Sequence, residues 1–163
     1  MATAYFFDTN AFASLLGKGK KAVHRKRGKA LKAKLRQIHD QGHLLYVPHM
    51  VQHEVERLGH YLTMTGKEPR FLQRFNRAVY SARMRKMEVT PSALNKATML
   101  WADLMQRNLS VGNKSLEGDL LILGEVLTHT IAHDKVVVTD NVKHFEHVVD
   151  VLTVADFLAH QPA

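Results

Sequence analysis

Short apolar runs alternate with helical patterns along the 163 residues, and this alternation constrains the fold more than any other feature of the sequence. Four runs have the length and the aromatic or β-branched content of buried strands, namely 4–8, 44–47, 135–139 and 151–154. Apolar strands that alternate with helices are typical of a parallel sheet covered on both sides. The sequence therefore predicts an α/β fold with a central, mainly parallel sheet.

Helical patterns lie between and after these runs, at about 10–15, 28–40, 48–60, 69–85, 92–107, 117–132 and 154–160. Pro48 and Pro91 suit a first helical turn, and Thr90 and Thr153 are the expected caps. The stretch 117–132 is apolar on most faces, so we expect it to form a buried helix.

The length fits a single domain with one core, and we expect one domain over 1–163. The sequence has no cysteine, which excludes disulfides, iron–sulfur clusters, Cys-ligated zinc and thiol nucleophiles. No apolar run approaches the roughly 20 residues of a membrane span. The start MATAYFFDTN lacks the basic region of a signal peptide. We therefore expect a soluble, cytoplasmic protein without a membrane partner.

The formal charge of +8 is concentrated in two basic segments. Residues 17–36 carry ten Lys or Arg and no acid, and residues 67–86 carry seven bases and one acid. Lys and Arg neutralise phosphates and release counterions, so the pattern favours a polyanion partner, most simply nucleic acid. A solvated helix face is the alternative explanation for either segment.

Aromatic residues interleave with arginines in and beside the second basic segment: Tyr61, Phe71, Phe75 and Tyr80. Bases can stack on such rings. Their helical spacing, however, favours packing in the core or in a dimer interface.

Four carboxylates occupy positions where a parallel sheet builds its functional site. Asp8 and Asp140 close strands, Glu54 lies in the helix after the second strand, and Asp119 lies in the first turn of the apolar helix. Each has a simpler explanation, as a helix cap, a first-turn acid or a surface acid. If the four converge, a divalent cation would offset their repulsion, and oxygen ligands favour Mg²⁺ or Mn²⁺.

The motifs that carry these acids resemble the PIN domain and, within it, the VapC-type toxins. They are DTN at 8–10, the helix around Glu54, GDLLILGEVL at 118–127 and VVVTDNVKHF at 136–145. Each motif is short, but the four in order span nearly the whole chain. The resemblance implies a Rossmann-like three-layer α/β/α sandwich and a metal-dependent endoribonuclease that cleaves structured RNA such as tRNA or rRNA.

The resemblance also implies which residues act. The catalytic and metal-binding acids would be Asp8, Glu54, Asp119 and Asp140, holding Mg²⁺ or Mn²⁺, with the Thr139 hydroxyl organising that corner. Asn10 and Asn141 would line the cleft, and His144 is expected near its mouth because it follows Asp140. Residues two apart on a helix face differently, so only one of Glu54 and Glu56 can face the site, and we choose Glu54. The residues expected to hold the RNA backbone are Lys18, Lys20, Lys21, Arg25, Lys26, Arg27 and Lys29.

Partners implied by the resemblance are the RNA substrate, a second copy in a homodimer and a cognate antitoxin that inserts into the cleft. The two basic segments make the chain longer than a compact family member, so they are expected to bind substrate or partner. Two alternatives stay open. One is an RNA-processing or structure-specific DNA nuclease on the same fold, and the other is a non-catalytic RNA-binding module in which the acids are only caps.

Overall fold

A computed structural model describes residues 2–15, 22–107, 114–131 and 133–161. Within these ranges, five strands form one sheet: β1 (Thr3–Phe7), β2 (Leu44–Val47), β3 (Arg85–Lys86), β4 (Asp134–Val138) and β5 (Asp150–Leu152). The strand order is β3-β2-β1-β4-β5, and every neighbouring pair is parallel. Helices flank this sheet, so the predicted α/β sandwich with a parallel sheet is confirmed.

The helices connect the strands in sequence: α1 (Thr9–Leu15), α2 (Ala22–Asp40), α3 (His49–Met64), α4 (Arg70–Ser81), α5 (Pro91–Gln106), α6 (Lys114–Thr128) and α7 (Val154–Ala159). Both predicted threonine caps are confirmed, since Thr90 Oγ1 accepts from Ala93 N at 3.1 Å and Thr153 Oγ1 accepts from Asp156 N at 3.0 Å. None of the helices in the described ranges combines the length and the apolar character that crossing a membrane requires.

Several boundaries differ from the sequence prediction, among them the end of α3, which is Met64 rather than residue 60, and α6, which spans Lys114–Thr128 rather than 117–132. The end of the predicted helix 69–85 is instead β3, a two-residue edge strand beside β2, too short to show an alternating pattern. Helix α2 begins at Ala22 rather than at residue 28. The predicted strand 151–154 ends at Leu152, because Thr153 caps α7 and Val154 begins it.

The central strand β1 supplies side chains to both faces of the sheet, because successive residues of a strand point in opposite directions. On one face, Tyr5 and Phe7 each meet Phe157 of α7 with ring centroids 5.3 Å apart. On the other face, Phe6 stacks on Tyr46 of β2 at 5.0 Å. All these rings are buried. Asp8, which follows β1, is therefore held in place by a strand that packs in the core on both faces.

The aromatic residues of the second basic segment divide into two groups. Phe75 is buried and Phe71 is half-buried, as the helical spacing predicted. Tyr61 and Tyr80 are 60% and 87% exposed, so these two do not pack in the core, and packing in a dimer interface stays a prediction for them. Both follow the helical period, but they lie beside the buried stripe rather than in it.

Helix α6 is buried as predicted, with Leu120, Ile122, Leu123 and Val126 in the core. It packs closely on α5 at Gly124, where an added Cβ would lie 2.2 Å from the carbonyl oxygen of Ala93. That atom belongs to the backbone and cannot rotate away. Glycine at 124 is therefore a requirement of the α5–α6 contact.

A matched pair of substitutions in α6 should have opposite effects on stability. Gly124→Ala forces α5 and α6 apart and should lower the free energy of unfolding by about 1–3 kcal/mol. At Gly118 an added Cβ meets its nearest atom at 3.5 Å, so Gly118→Ala should raise it by up to about 1 kcal/mol through helix propensity. Urea unfolding of the two variants and the wild type measures this, and equal effects would refute the close contact.

Candidate functional site

The strand order reverses between β1 and β4, because the chain continues from β1 to one side of the sheet and from β4 to the other. In open parallel sheets, ligands bind beyond the carboxyl ends of the strands at this switch point. Asp8 directly follows β1 and Thr139 directly follows β4. The backbone N–H of Asp8 donates to Val138 O at 3.1 Å, which ties the two strand ends together.

The carboxylate of Asp8 is buried and held by three donors. Thr139 Oγ1 donates to Asp8 Oδ2 at 2.7 Å, and Thr9 N donates to Oδ1 at 2.5 Å. Asn10 Nδ2 donates to Oδ2 at 3.3 Å. These bonds offset the cost of burying a carboxylate and fix its orientation.

Asp119 lies close by on α6 and is also buried. Its Oδ2 accepts from Asn141 Nδ2 at 3.2 Å and is hydrogen-bonded to Nδ1 of His144. The pKa of the Asp119 carboxyl is raised to about 6, mainly by burial. The His144 hydrogen bond opposes this rise, and the charges of Asp8 and Glu54 add to it. Asp8 and Glu54 thus lie close enough to Asp119 for their charges to act on its carboxyl group.

Glu54 joins this group from α3. Its Oε2 accepts a hydrogen bond from Thr9 Oγ1, and an added Cβ at Gly118 would lie 3.5 Å from its Oε1. Glu54 is half-buried, whereas Glu56 is exposed. The structure therefore brings Glu54, rather than Glu56, to the turn of α6 that precedes Asp119. We call the site formed by Asp8, Glu54 and Asp119 the acidic crevice.

Asp140 has a different environment. It is exposed, and its Oδ1 accepts from Val154 N at the first residue of α7, at 3.1 Å. An acid at a helix N-terminus satisfies an unpaired N–H and interacts favourably with the helix dipole. The structure thus gives Asp140 the capping role that the sequence left open.

The remaining predicted cleft residues are linked to the acidic crevice by hydrogen bonds. Asn141 N donates to Thr139 Oγ1 at 2.9 Å, so one residue contacts both the Asp8 and the Asp119 corners. Of the basic residues predicted to hold RNA, Lys29 is exposed on α2. The others lie outside the described residues, either entirely or in their side chains: Lys18, Lys20, Lys21, Arg25, Lys26 and Arg27.

Sequence reasoning missed Glu125, which is 2% exposed on α6. Its Oε2 accepts from His49 N at 2.6 Å and its Oε1 from Met50 N at 3.3 Å, so it caps α3 from a neighbouring helix. Burial raises the pKa of Glu125, and the two backbone hydrogen bonds lower it. The signals were present: Pro48 has no side-chain hydrogen bond to offer α3, and an acid at 125 interrupts an apolar helix.

Sequence reasoning also missed Thr9, the middle residue of DTN. Its backbone N–H binds Asp8 and its hydroxyl binds Glu54. A hydroxyl directly after the first acid of the motif was the available signal. Thr9 thus joins two carboxylates that lie 46 positions apart in the sequence.

The raised pKa of Asp119 predicts how the metal-free protein responds to pH. Because the folded pKa of about 6 exceeds the usual 3.8, the native state binds more protons than the unfolded state between these values. The contribution of Asp119 to stability is therefore present at low pH and is lost as pH rises through about 6. Urea unfolding with chelator should show Asp119→Asn losing less stability than the wild type from about pH 4 to pH 7. A steeper loss in the variant would refute this assignment.

The donor set of the acidic crevice suits a hydrated divalent cation. Carboxylate oxygens are the ligands that Mg²⁺ and Mn²⁺ prefer. In the part of the chain that the structure describes, no three His, Asp or Glu side chains are grouped to hold one ion together. Mg²⁺ is commonly held by one or two carboxylates and completed by water and substrate phosphate, which fits Asp8 and Asp119.

The sheet order and the acids at its switch point define a Rossmann-like α/β protein. The same fold occurs in VapBC-1 from nontypeable Haemophilus influenzae, with a TM-score of 0.65 and 16% identity over 94% of this chain and 99% of that one. For VapBC2 from Rickettsia felis, bound to a promoter DNA fragment, the TM-score is 0.59 and the sequence identity is 18%, over 93% of this chain and 98% of that one. For DNA-bound VapBC from Salmonella typhimurium, the TM-score is 0.55 and the sequence identity is 18%, over 94% of this chain and 99% of that one.

These likenesses confirm, at the level of the fold, the predicted resemblance to VapC-like PIN domains. No family model and no curated protein matches the sequence itself. The agreement therefore lies in the path of the backbone over nearly the whole chain.

Proposed function

We propose that this protein is a divalent-metal-dependent endoribonuclease and the toxin of a toxin–antitoxin pair. The proposal rests on the acidic crevice at the switch point of the sheet, where burial raises the pKa of Asp119 and the charges of Asp8 and Glu54 raise it further. Mutual repulsion of this kind is what a bound cation relieves. Structured RNA, tRNA or rRNA, is the substrate class.

In the proposed mechanism, Asp8 and Asp119 hold Mg²⁺ or Mn²⁺, and Thr139 and Asn141 keep the two carboxylates oriented toward each other. The ion, when bound, supplies stabilisation of the charge that develops on the scissile phosphate. Glu54, held by Thr9, would accept a proton from the water that attacks the phosphorus. The P–O bond to the leaving ribose oxygen would break as the new P–O bond forms, and solvent would supply the proton to that oxygen. Asp140 stays a predicted further ligand of the ion, beside its observed bond to the N-terminus of α7.

Two observations support RNA and a protein partner. The net charge of +8 suits a phosphate backbone, and Lys29 and the rest of the 17–36 segment would contact it. The three solved structures described above are VapBC structures. We extend this to a cognate antitoxin that covers the acidic crevice.

Expression in a bacterial host tests the toxin proposal. Induction of the wild type should arrest growth and produce new RNA 5′ ends at discrete sites, detectable by end-mapping. Asp8→Asn should do neither, and co-expression of the protein encoded beside this one should restore growth. Normal growth with unchanged RNA ends at full expression of the wild type would contradict the proposal.

The predicted homodimer has a candidate surface on α5. Leu94, Trp101 and Met105 are exposed at positions that share one helix face. Exposed apolar stripes of this kind are typical of protein interfaces. Trp101→Glu should shift the protein from dimer to monomer in sedimentation velocity at micromolar concentration, whereas Lys96→Glu should not. A monomeric wild type would refute the dimer.

A further inference from the structure

An open cavity of about 410 Å³ lies between the carboxyl ends of α2 and α4. Its lining includes Arg36, His39 and Asp40 from α2, and Tyr80, Ser81 and Arg83 from the end of α4. Both helices lead from here into the amino ends of strands, β2 and β3. The cavity, which we call the α2–α4 pocket, therefore lies at the amino-terminal ends of the strands. The acidic crevice lies at the opposite end of the sheet, beyond the carboxyl ends of the strands.

The lining of the α2–α4 pocket has the groups that recognise a nucleotide. Arg36 and Arg83 are both exposed, and planar guanidinium groups bind phosphate through paired hydrogen bonds. The Tyr80 ring is 87% exposed at the rim, and such rings stack on bases. The pocket has one carboxylate, Asp40, which lies 3.7 Å from His39 Nδ1. The volume is within the range of about 300–1,000 Å³ that small-ligand sites occupy.

Arg83 has an unfavourable backbone conformation, with φ at 51°. Arg83 N donates to Tyr80 O and Met84 N to Val79 O, both at 3.0 Å, so Arg83 occupies the position after the helix where glycine is preferred. The chain has glycine, Gly42 and Gly66, at its other described positive-φ positions. A strained residue that keeps a long, exposed, charged side chain indicates that the side chain has a use.

A row of arginines connects the α2–α4 pocket with the acidic crevice. Arg70, Arg74 and Arg77 are exposed and lie on one face of α4 at i, i+4 and i+7. At the amino end of α4, Phe71 shares a small cavity with Thr9 and Glu54. The helix is roughly 18 Å long, which spans several backbone phosphates.

We propose that the α2–α4 pocket binds an unpaired nucleotide of the RNA substrate at a distance from the cleavage site. Tyr80 stacks on the base, Arg36 and Arg83 bind the adjoining phosphate, and the α4 arginines follow the backbone toward the acidic crevice. This inference rests on RNA being the substrate. It adds a determinant for structured RNA, because only an RNA that presents an unpaired nucleotide at this distance engages both sites.

Replacing Arg83 tests the proposal well, because the substitution should stabilise the fold and at the same time weaken RNA binding. Arg83→Gly relieves the backbone strain and should raise the midpoint of urea unfolding. It should also weaken binding of a fluorescein-labelled 12-nucleotide single-stranded RNA, measured by anisotropy in chelator, by about tenfold and reduce the salt slope by about 1. Arg107→Gln, which removes a charge at the end of α5, should change binding less than twofold.

The tyrosine variants separate stacking from charge. Tyr80→Ala should weaken binding of the same RNA by roughly 5- to 100-fold with an unchanged salt slope, and Tyr80→Phe should bind like the wild type. Equal binding by Tyr80→Ala, Arg83→Gly and Arg107→Gln would overturn the proposal. The proposal would also be overturned if the pocket variants lost binding to a poly-glutamate peptide but bound the RNA normally. That result would indicate that the pocket binds an acidic protein.

RNA binding and RNA cleavage test the pocket and the nuclease separately. Pocket variants that bind RNA normally, beside an Asp8→Asn variant that no longer cleaves it, refute the pocket alone. Weakened RNA binding by the pocket variants, in a protein that never cleaves RNA, supports the pocket and refutes the nuclease.

Discussion

Asp8→Asn is expected to lower RNA cleavage by about 10³-fold or more. Asp8 is buried at the centre of the acidic crevice, and its orientation is fixed by Thr139, Thr9 and Asn10. Removing its charge weakens the hold on the divalent cation, whose stabilisation of the scissile phosphate contributes several kcal/mol. Each roughly 1.4 kcal/mol corresponds to a factor of ten in rate. Single-turnover cleavage of a defined tRNA measures the loss.

The matched control is Asp103→Asn. Asp103 lies on α5, is partly exposed and pairs with Arg107 at 3.1 Å. It loses the same charge, so it should retain at least half of the wild-type rate. Circular dichroism and urea unfolding should show both variants folded. Equal activity of the two variants would show that the acidic crevice is not the site of cleavage.

Glu125→Ala is expected to have the largest effect on stability, lowering the free energy of unfolding by about 2–4 kcal/mol. The variant loses two hydrogen bonds from a buried carboxylate to the N-terminus of α3, and Pro48 cannot replace them. For a chain of this size the melting temperature should fall by about 5–15 °C. Because α3 carries Glu54, RNA cleavage should fall as well, even under conditions in which the variant is folded.

Glu117→Ala is the control for Glu125→Ala. Glu117 is exposed in the first turn of the same helix. There a carboxylate contributes only about 0.3–1 kcal/mol through the helix dipole. Comparable losses in the two variants, measured by thermal unfolding, would mean that Glu125 does not hold the start of α3.

The sequence was sufficient to locate the two strand ends that build the site. Asp8 and Thr139 are the last residues of the predicted runs 4–8 and 135–139, and parallel strands bring their carboxyl ends to one edge. The pairing of Glu54 with the turn before Asp119 was not predictable from spacing, since it depends on how α3 crosses α6. It followed instead from a resemblance in the order of motifs.

Other features depend on tertiary contacts that leave little local trace. The cap of α3 comes from Glu125, 76 residues away from His49. Strand β3 is two residues long and exists only because β2 offers it a partner. The role of Asp140 depends on where α7 begins, since its bonding partner Val154 lies 14 positions further along the chain. Long-range pairing of this kind overrides local patterns.

The exposure of Tyr80 could not be predicted from the periodicity of the sequence. Its spacing relative to Phe75 suits a helix, but spacing does not say which residues of a helix border the buried face. The structure turns Phe75 inward and leaves Tyr80 at the rim of the α2–α4 pocket. The same arginine-rich helix therefore contributes to the core on one side and presents a charged surface on the other.

Cleavage of total cellular RNA by the purified protein is the direct test of a metal-dependent nuclease at the acidic crevice. The reactions contain Mg²⁺, Mn²⁺ or chelator, with Asp8→Asn and Asp103→Asn beside the wild type. We expect discrete products that require the metal, persist in Asp103→Asn and vanish in Asp8→Asn. Intact RNA under every condition, with RNA binding preserved and unaffected by Asp8→Asn, would contradict this expectation and indicate a non-catalytic RNA-binding module.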